Sequence, residues 1–114
     1  HWSFPKGHIE DSDLDYHSTA VRELSEETGI KTVKILDGWV MRTEYTFFRK
    51  GVKTPKQVYW YLAETDELTV KLSFEHRNYL WLDFESAHSQ LTFEQEKEML
   101  NSAHAHLLSV GHPV

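Results

Sequence analysis

The chain has 114 residues, a formal net charge of −6 and no cysteine. This length allows one domain with a modest core, and 39% apolar against 26% charged residues suits a globular chain, not a disordered one. A disulfide framework and a cysteine-built zinc site are excluded, which fits a reducing, cytoplasmic setting. The acidic balance speaks against broad nucleic-acid binding, and no apolar run reaches membrane-spanning length.

The chain opens with "HWSFPKGH", an extended entry into a Pro-Lys-Gly turn. A helix is predicted to start near Ser12–Asp15, capped by Ser12 or Asp13, and to run to about Thr28 with Gly29 ending it. On its wheel His17, Ala20, Val21, Leu24 and Thr28 share one side, and Glu23, Glu26 and Glu27 occupy the adjacent one. "TVKIL" and "GWVMRTEYTFF" then read as a short and a longer strand, "GVKTPK" as a loop, and "QVYWYLAE" as a strong strand. "ELTVKL" and "YLWLD" are shorter strand candidates on either side of "SFEHRN". A final helix follows, with Thr92 and Gln95 as its capping box and Phe93, Leu100, Ala103 and Leu107 at helical spacing. The predicted order is turn–α–β–β–β–β–α, with no repeat and no low-complexity linker.

Chemistry concentrates in "RELSEETGI", Arg22 to Ile30. Three glutamates on a helix commonly form a solvated face. Spaced i, i+3 and i+4, they also supply half a shell of hard oxygen ligands for a divalent cation that keeps open positions for phosphate. Gly7 allows close approach of backbone to such a site, and Gly29 turns the chain sharply after the helix.

The stretch "GHIEDSDLDYHSTAVRELSEETGI" resembles the Nudix box, Gly-x5-Glu-x7-Arg-Glu-U-x-Glu-Glu-x-Gly-U with U apolar. Its second half matches at Arg22, Glu23, Leu24, Glu26, Glu27, Gly29 and Ile30. Its first half departs: Asp13 stands where the pattern has Glu, and eight residues, not seven, separate it from Arg22. That acidic position is mainly structural in the family, so the resemblance implies an extra loop residue and an intact metal site. With "WSFPKGH", "KQVYWYLAE", "LSFEHRNYLWL", "FEQEKEML" and "HAHLL", the chain is similar to Nudix hydrolases of the asymmetrical diadenosine-tetraphosphate kind from His1 to Leu108.

The resemblance implies an α+β fold, an α/β/α sandwich with a mixed sheet flanked by helices. It also implies one domain over residues 1–114, with about two upstream strands lying outside this chain. Glu26 and Glu27 become the main metal ligands, and Glu23 either a ligand or the base that activates a metal-bound water. Arg22 orients these carboxylates by salt bridges, and Glu75 approaches the metal from a loop. Mg²⁺, or Mn²⁺, is the implied cofactor. Lys6 and His8 are placed to touch phosphate, with Lys53 and Lys56 toward its distal end. Tyr45 and Trp60 become the stacking surface for a base, with Tyr79 as a further candidate. Trp39 and Trp81 are assigned to packing, and His104 and His106, two apart on a helix, to separate faces.

The implied reaction is metal-dependent hydrolysis of diadenosine tetraphosphate to ATP and AMP. Two alternatives stand beside it: pyrophosphate removal from RNA 5′-ends or action on diphosphoinositol phosphates, and a catalytically silent nucleotide sensor. The expected partner is a small nucleoside polyphosphate, with a monomeric protein, no membrane and no nucleic acid.

Overall fold

A computed structural model describes residues 2–5, 15–73 and 78–112. Along the chain these form helix α1 (Tyr16–Thr28), strands β1 (Lys34–Arg49) and β2 (Val52–Glu64), and helices α2 (Phe84–Gln90) and α3 (Glu94–Ser109). The arrangement is α+β, as expected. Among the described residues the sheet is one antiparallel pair, β1 with β2.

The cap of α1 falls later than predicted. Ser12 and Asp13 lie outside the described residues, and Asp15 caps the helix by accepting a 2.8 Å hydrogen bond from Ser18 N. Gly29 ends α1 as expected, in the left-handed region at φ 75°. A Cβ there would sit 3.2 Å from the Cβ of Lys71, so the position needs glycine for its conformation and for space.

"TVKIL" and "GWVMRTEYTFF" merge into the single strand β1. Register slips between Leu36, opposite Leu62, and Val40, opposite Tyr61, so Asp37, Gly38 and Trp39 form an irregularity. Gly38, at φ 91°, lets the ring of His106 on α3 come close, and Trp39 Nε1 donates to Ser102 Oγ of the same helix. The slip therefore seats α3 against β1. Of "GVKTPK", residues 52–56 are strand, not loop. Lys50 (φ 51°) and Gly51 (φ 76°) alone make the turn, so pairing resumes at once with Arg49 opposite Val52. Pro55 fits opposite Thr46 because a two-stranded ribbon has outward-facing sites that need no N–H.

"ELTVKL" and "YLWLD" form no strand. Their hydrogen bonds go elsewhere: the Glu67 carboxylate accepts from Lys31 N and Thr32 N, and Trp81 Nε1 donates to Leu68 O. Lys71 N and Ser73 N donate to Thr28 O and Glu27 O at the end of α1. The segment is thus fastened to the helix end without joining the sheet.

Helix α2 is absent from the sequence reading. Asp83 caps it through Ser86 N, and Phe84 stacks on His104 of α3 with ring centroids 3.8 Å apart. The capping box at Thr92 is also corrected. Helix α3 starts after Phe93 with no side-chain cap, because Thr92 Oγ1 accepts instead from Trp2 N while Thr92 N donates to Trp2 O. Phe4 N donates to the buried Glu96, so residues 2–4 run along the start of α3. Ile30, Leu91, Met99 and Ala103 form the buried apolar core, and Phe93 is exposed.

The two aspartate caps set an acid limit. Hydrogen bonds from Ser18 and Ser86 hold the carboxyls of Asp15 and Asp83 below their usual 3.8. Protons then bind the unfolded chain more readily, so the stabilisation is complete above that value and is lost as pH falls below it. Melting temperature should drop across this acid range, and Asp15→Ala with Asp83→Ala should flatten the drop.

Candidate active site

Helix α1 carries the carboxylates because its cap at Asp15 and stop at Gly29 fix its phase against β2. Tyr16 stacks on Tyr59 with centroids 4.9 Å apart, and His17 meets Tyr61 edge-on at 4.6 Å. Tyr59 and Tyr61 share one face of the hairpin, since strand neighbours alternate. With α1 clamped on that face, the phase of the glutamates, roughly two to three turns further along, is fixed.

Arg22 organises them. Its Nη1 lies 2.9 Å from Glu23 Oε1 and 3.1 and 3.2 Å from the two oxygens of Glu26. Glu23 and Arg22 are mostly sheltered, at 16% and 20% side-chain exposure, while Glu26 is open at 56%. Glu27 Oε2 is shielded from solvent, and the backbone carbonyl of Glu27 accepts from Ser73 N. Among the described residues no three acidic or histidine side chains are gathered closely enough to hold a metal ion. The guanidinium of Arg22 spans two of these carboxylates. The donor set, all carboxylate oxygen on one rigid helix, fits a hard divalent cation.

Arg22 thus holds charge and direction together. If these carboxylates hold a metal as the sequence implies, Arg22→Gln should lower kcat/KM about 10–100-fold, the range for a residue that orients metal ligands. Arg22→Lys should restore only part of the loss, since its flexible point-charge ammonium lacks the rigid planar geometry of the guanidinium. Steady-state kinetics with a divalent-metal titration reads both.

The hairpin brings a second group together. Tyr45 and Lys56 are opposite one another, and Lys56 Nζ stands 5.9 Å from the Tyr45 ring centroid. Trp60 shares their face, which is the one opposite the Tyr59–Tyr61 face that α1 covers, so the hairpin does not bring these residues onto the same side as the carboxylates. Its Nε1 donates to Thr43 Oγ1, and its ring meets Phe4 edge-on at 6.3 Å. Tyr79 is exposed in the segment before α2. Trp39 packs as expected, whereas Trp81 is half exposed. His104 and His106 point to Phe84 and Gly38, so they do not converge. Lys6, His8 and Glu75 lie outside the described residues, as do Gly7 and Asp13.

Sequence reasoning did not single out Asp15, Tyr16 and His17. With Tyr61 they line an open groove that continues past Ser18 and Val21 to Arg22. Partial burial pushes the Tyr61 phenol up. The signal was present: two tyrosines on the strand face opposite Trp60 need a cover, and "DYH" opens the nearest helix.

The model of the NUDIX domain matches residues 1–103. The chain belongs to the NUDIX family. Asymmetrical bis(5′-nucleosyl)-tetraphosphatase of Rattus norvegicus is 36% identical over 111 residues, which cover 96% of this chain and 74% of that protein. The Mus musculus protein of the same name is 37% identical over 113 residues, with the same two shares. An Ap4A hydrolase of Caenorhabditis elegans, crystallised as a binary complex, is similar in structure with a TM-score of 0.75 and 29% identity. That likeness covers 96% of this chain and 78% of that one. NUDIX hydrolases generally use divalent metal ions.

Proposed function

We propose that this chain is a Nudix hydrolase that cleaves dinucleoside polyphosphates, diadenosine tetraphosphate first among them, to ATP and AMP with Mg²⁺. The single observation that carries the reading is Arg22 forked between Glu23 and Glu26 on α1, with Glu27 tied by its backbone to Ser73. Relatives named for this reaction support the substrate.

Glu26 and Glu27 would hold the metal, with Glu75, and Glu23 would hold it or accept the proton of the attacking water. The bound ion supplies relief of charge on the phosphate chain and a nucleophile at neutral pH. Arg22 would hold Glu23 and Glu26 in place. Lys56 beside Tyr45, with Trp60, would offer a base and a phosphate a surface on the sheet face away from α1, so a bound polyphosphate would have to pass the hairpin edge to reach the carboxylates. Lys6, His8 and Tyr79 complete the proposed substrate contacts. The acidic chain, at −6, favours a small ligand neutralised by metal over RNA.

A competition assay tests the substrate class. Diadenosine tetraphosphate, triphosphorylated RNA and a diphosphoinositol phosphate are offered together with Mg²⁺. The reading expects at least a tenfold higher kcat/KM for the dinucleotide. A preference for either other substrate would replace it.

A further inference from the structure

The tip of the hairpin carries a surface that the proposed site does not use. Beyond Tyr45 and Lys56, residues 46–55, "TFFRKGVKTP", contain three of the chain's twelve basic residues and no acidic one. In a chain with 18 Asp and Glu this is a sharp separation of charge. At the same tip Phe48 is 73% and Val52 63% exposed, with Phe47 also open. Arg49, Lys50 and Lys53 are exposed beside them.

This tip lies well away from the carboxylates. Tyr59 is the β2 residue that stacks on α1, and Val52 is seven positions further along the strand. At about 3.3 Å per residue the separation is roughly 23 Å, well beyond a Debye length at physiological salt. The charge at the tip therefore has a different partner from the helix glutamates.

Side-chain placement favours one class of partner. Phe47, Arg49 and Val52 lie on one face of the ribbon, and Phe48 and Lys53 on the other. A single-stranded nucleic acid needs its stacking rings on one platform, and these are split between faces. A tip apolar on both sides and ringed by cations suits end-on entry into a lipid interface, with basic groups at the headgroups. The Lys50–Gly51 turn makes this end narrow and rigid.

We propose that the β1–β2 hairpin tip docks this protein reversibly on anionic membrane surfaces, through Phe48 and Val52 inserted and Arg49 and Lys50 at the headgroups. No helix among the described residues is long and apolar enough to cross a membrane, and this contact needs none.

Co-sedimentation of the whole chain with phosphatidylcholine vesicles, with and without 30% phosphatidylserine, tests it. Binding should require the anionic lipid, weaken with salt, and persist against excess inorganic phosphate at constant ionic strength. Arg49→Gln and Lys50→Gln should each weaken binding about fivefold, the equivalent of about 1 kcal/mol per basic residue. Phe48→Ser with Val52→Ser should weaken it at least tenfold, with hydrolysis unchanged. The emission of a Phe48→Trp variant should shift to the blue only on anionic vesicles. Equal binding to neutral vesicles, displacement by inorganic phosphate or by a single-stranded oligonucleotide, or no pelleting would overturn the proposal. Loss with the charge variants alone would also overturn it, because charge attraction needs no insertion.

Discussion

Glu27→Gln is expected to lower kcat about a thousandfold while the protein melts no earlier than the parent. The loss reflects several kcal/mol of metal-derived stabilisation of the reacting phosphate. The unchanged melting follows from the surroundings of Glu27. Its Oε2 is shielded from solvent, and two more carboxylates stand on the same helix. Glu23 and Glu27 are like charges at i and i+4 on one helix, and a neutral amide of equal size relieves that repulsion. The backbone bond from Ser73 to Glu27 survives the change. A metal titration followed by melting separates the two roles without any turnover. Mg²⁺ should raise the melting temperature of the parent by mass action and that of the variant far less. Equal shifts would remove Glu27 from the metal site.

Gly29→Val acts on the fold at the place where the fold serves the site. A β-branched residue at φ 75° is strained, and its Cβ would stand 3.2 Å from the Cβ of Lys71. The cost is roughly 2–4 kcal/mol, or a melting temperature lower by roughly 10–20 °C in a domain of this size. The clash falls between α1 and the segment whose Lys71 N and Ser73 N bond to Thr28 O and Glu27 O. Activity measured below the melting point should therefore fall as well. Gly29→Asn, which tolerates the left-handed region, should lose less on both counts. Calorimetry and kinetics on the three proteins check the ranking.

Local chemistry was legible in the sequence, and pairing was not. Gly29 as the stop of α1 follows from glycine's access to positive φ, and the glutamate spacing follows from 3.6 residues per turn. Both are settled within a few neighbouring residues. "GVKTPK" misled because proline and glycine punctuate loops, yet Lys50 and Gly51 turn the chain alone and the partner strand overrides Pro55. "ELTVKL" misled in the opposite sense. Its β propensity is real, but Glu67 is drawn to Lys31 N and Thr32 N, and Lys71 N to the end of α1. Thr92 looked like a cap until Trp2, ninety positions away, took its hydroxyl. Distant partners of this kind leave no local trace. In the candidate site the carboxylates and Arg22 could be read from spacing. The clamp of Tyr16 and His17 on Tyr59 and Tyr61 could not, since it depends on which strand face the helix covers.

Product analysis tests the central claim most directly. The whole chain is incubated with diadenosine tetraphosphate and Mg²⁺, and the nucleotides are resolved by chromatography at early times. Equal amounts of ATP and AMP, absent with Glu27→Gln, are the predicted result. Two ADP per substrate, or ATP and AMP undiminished in the variant, would contradict the account.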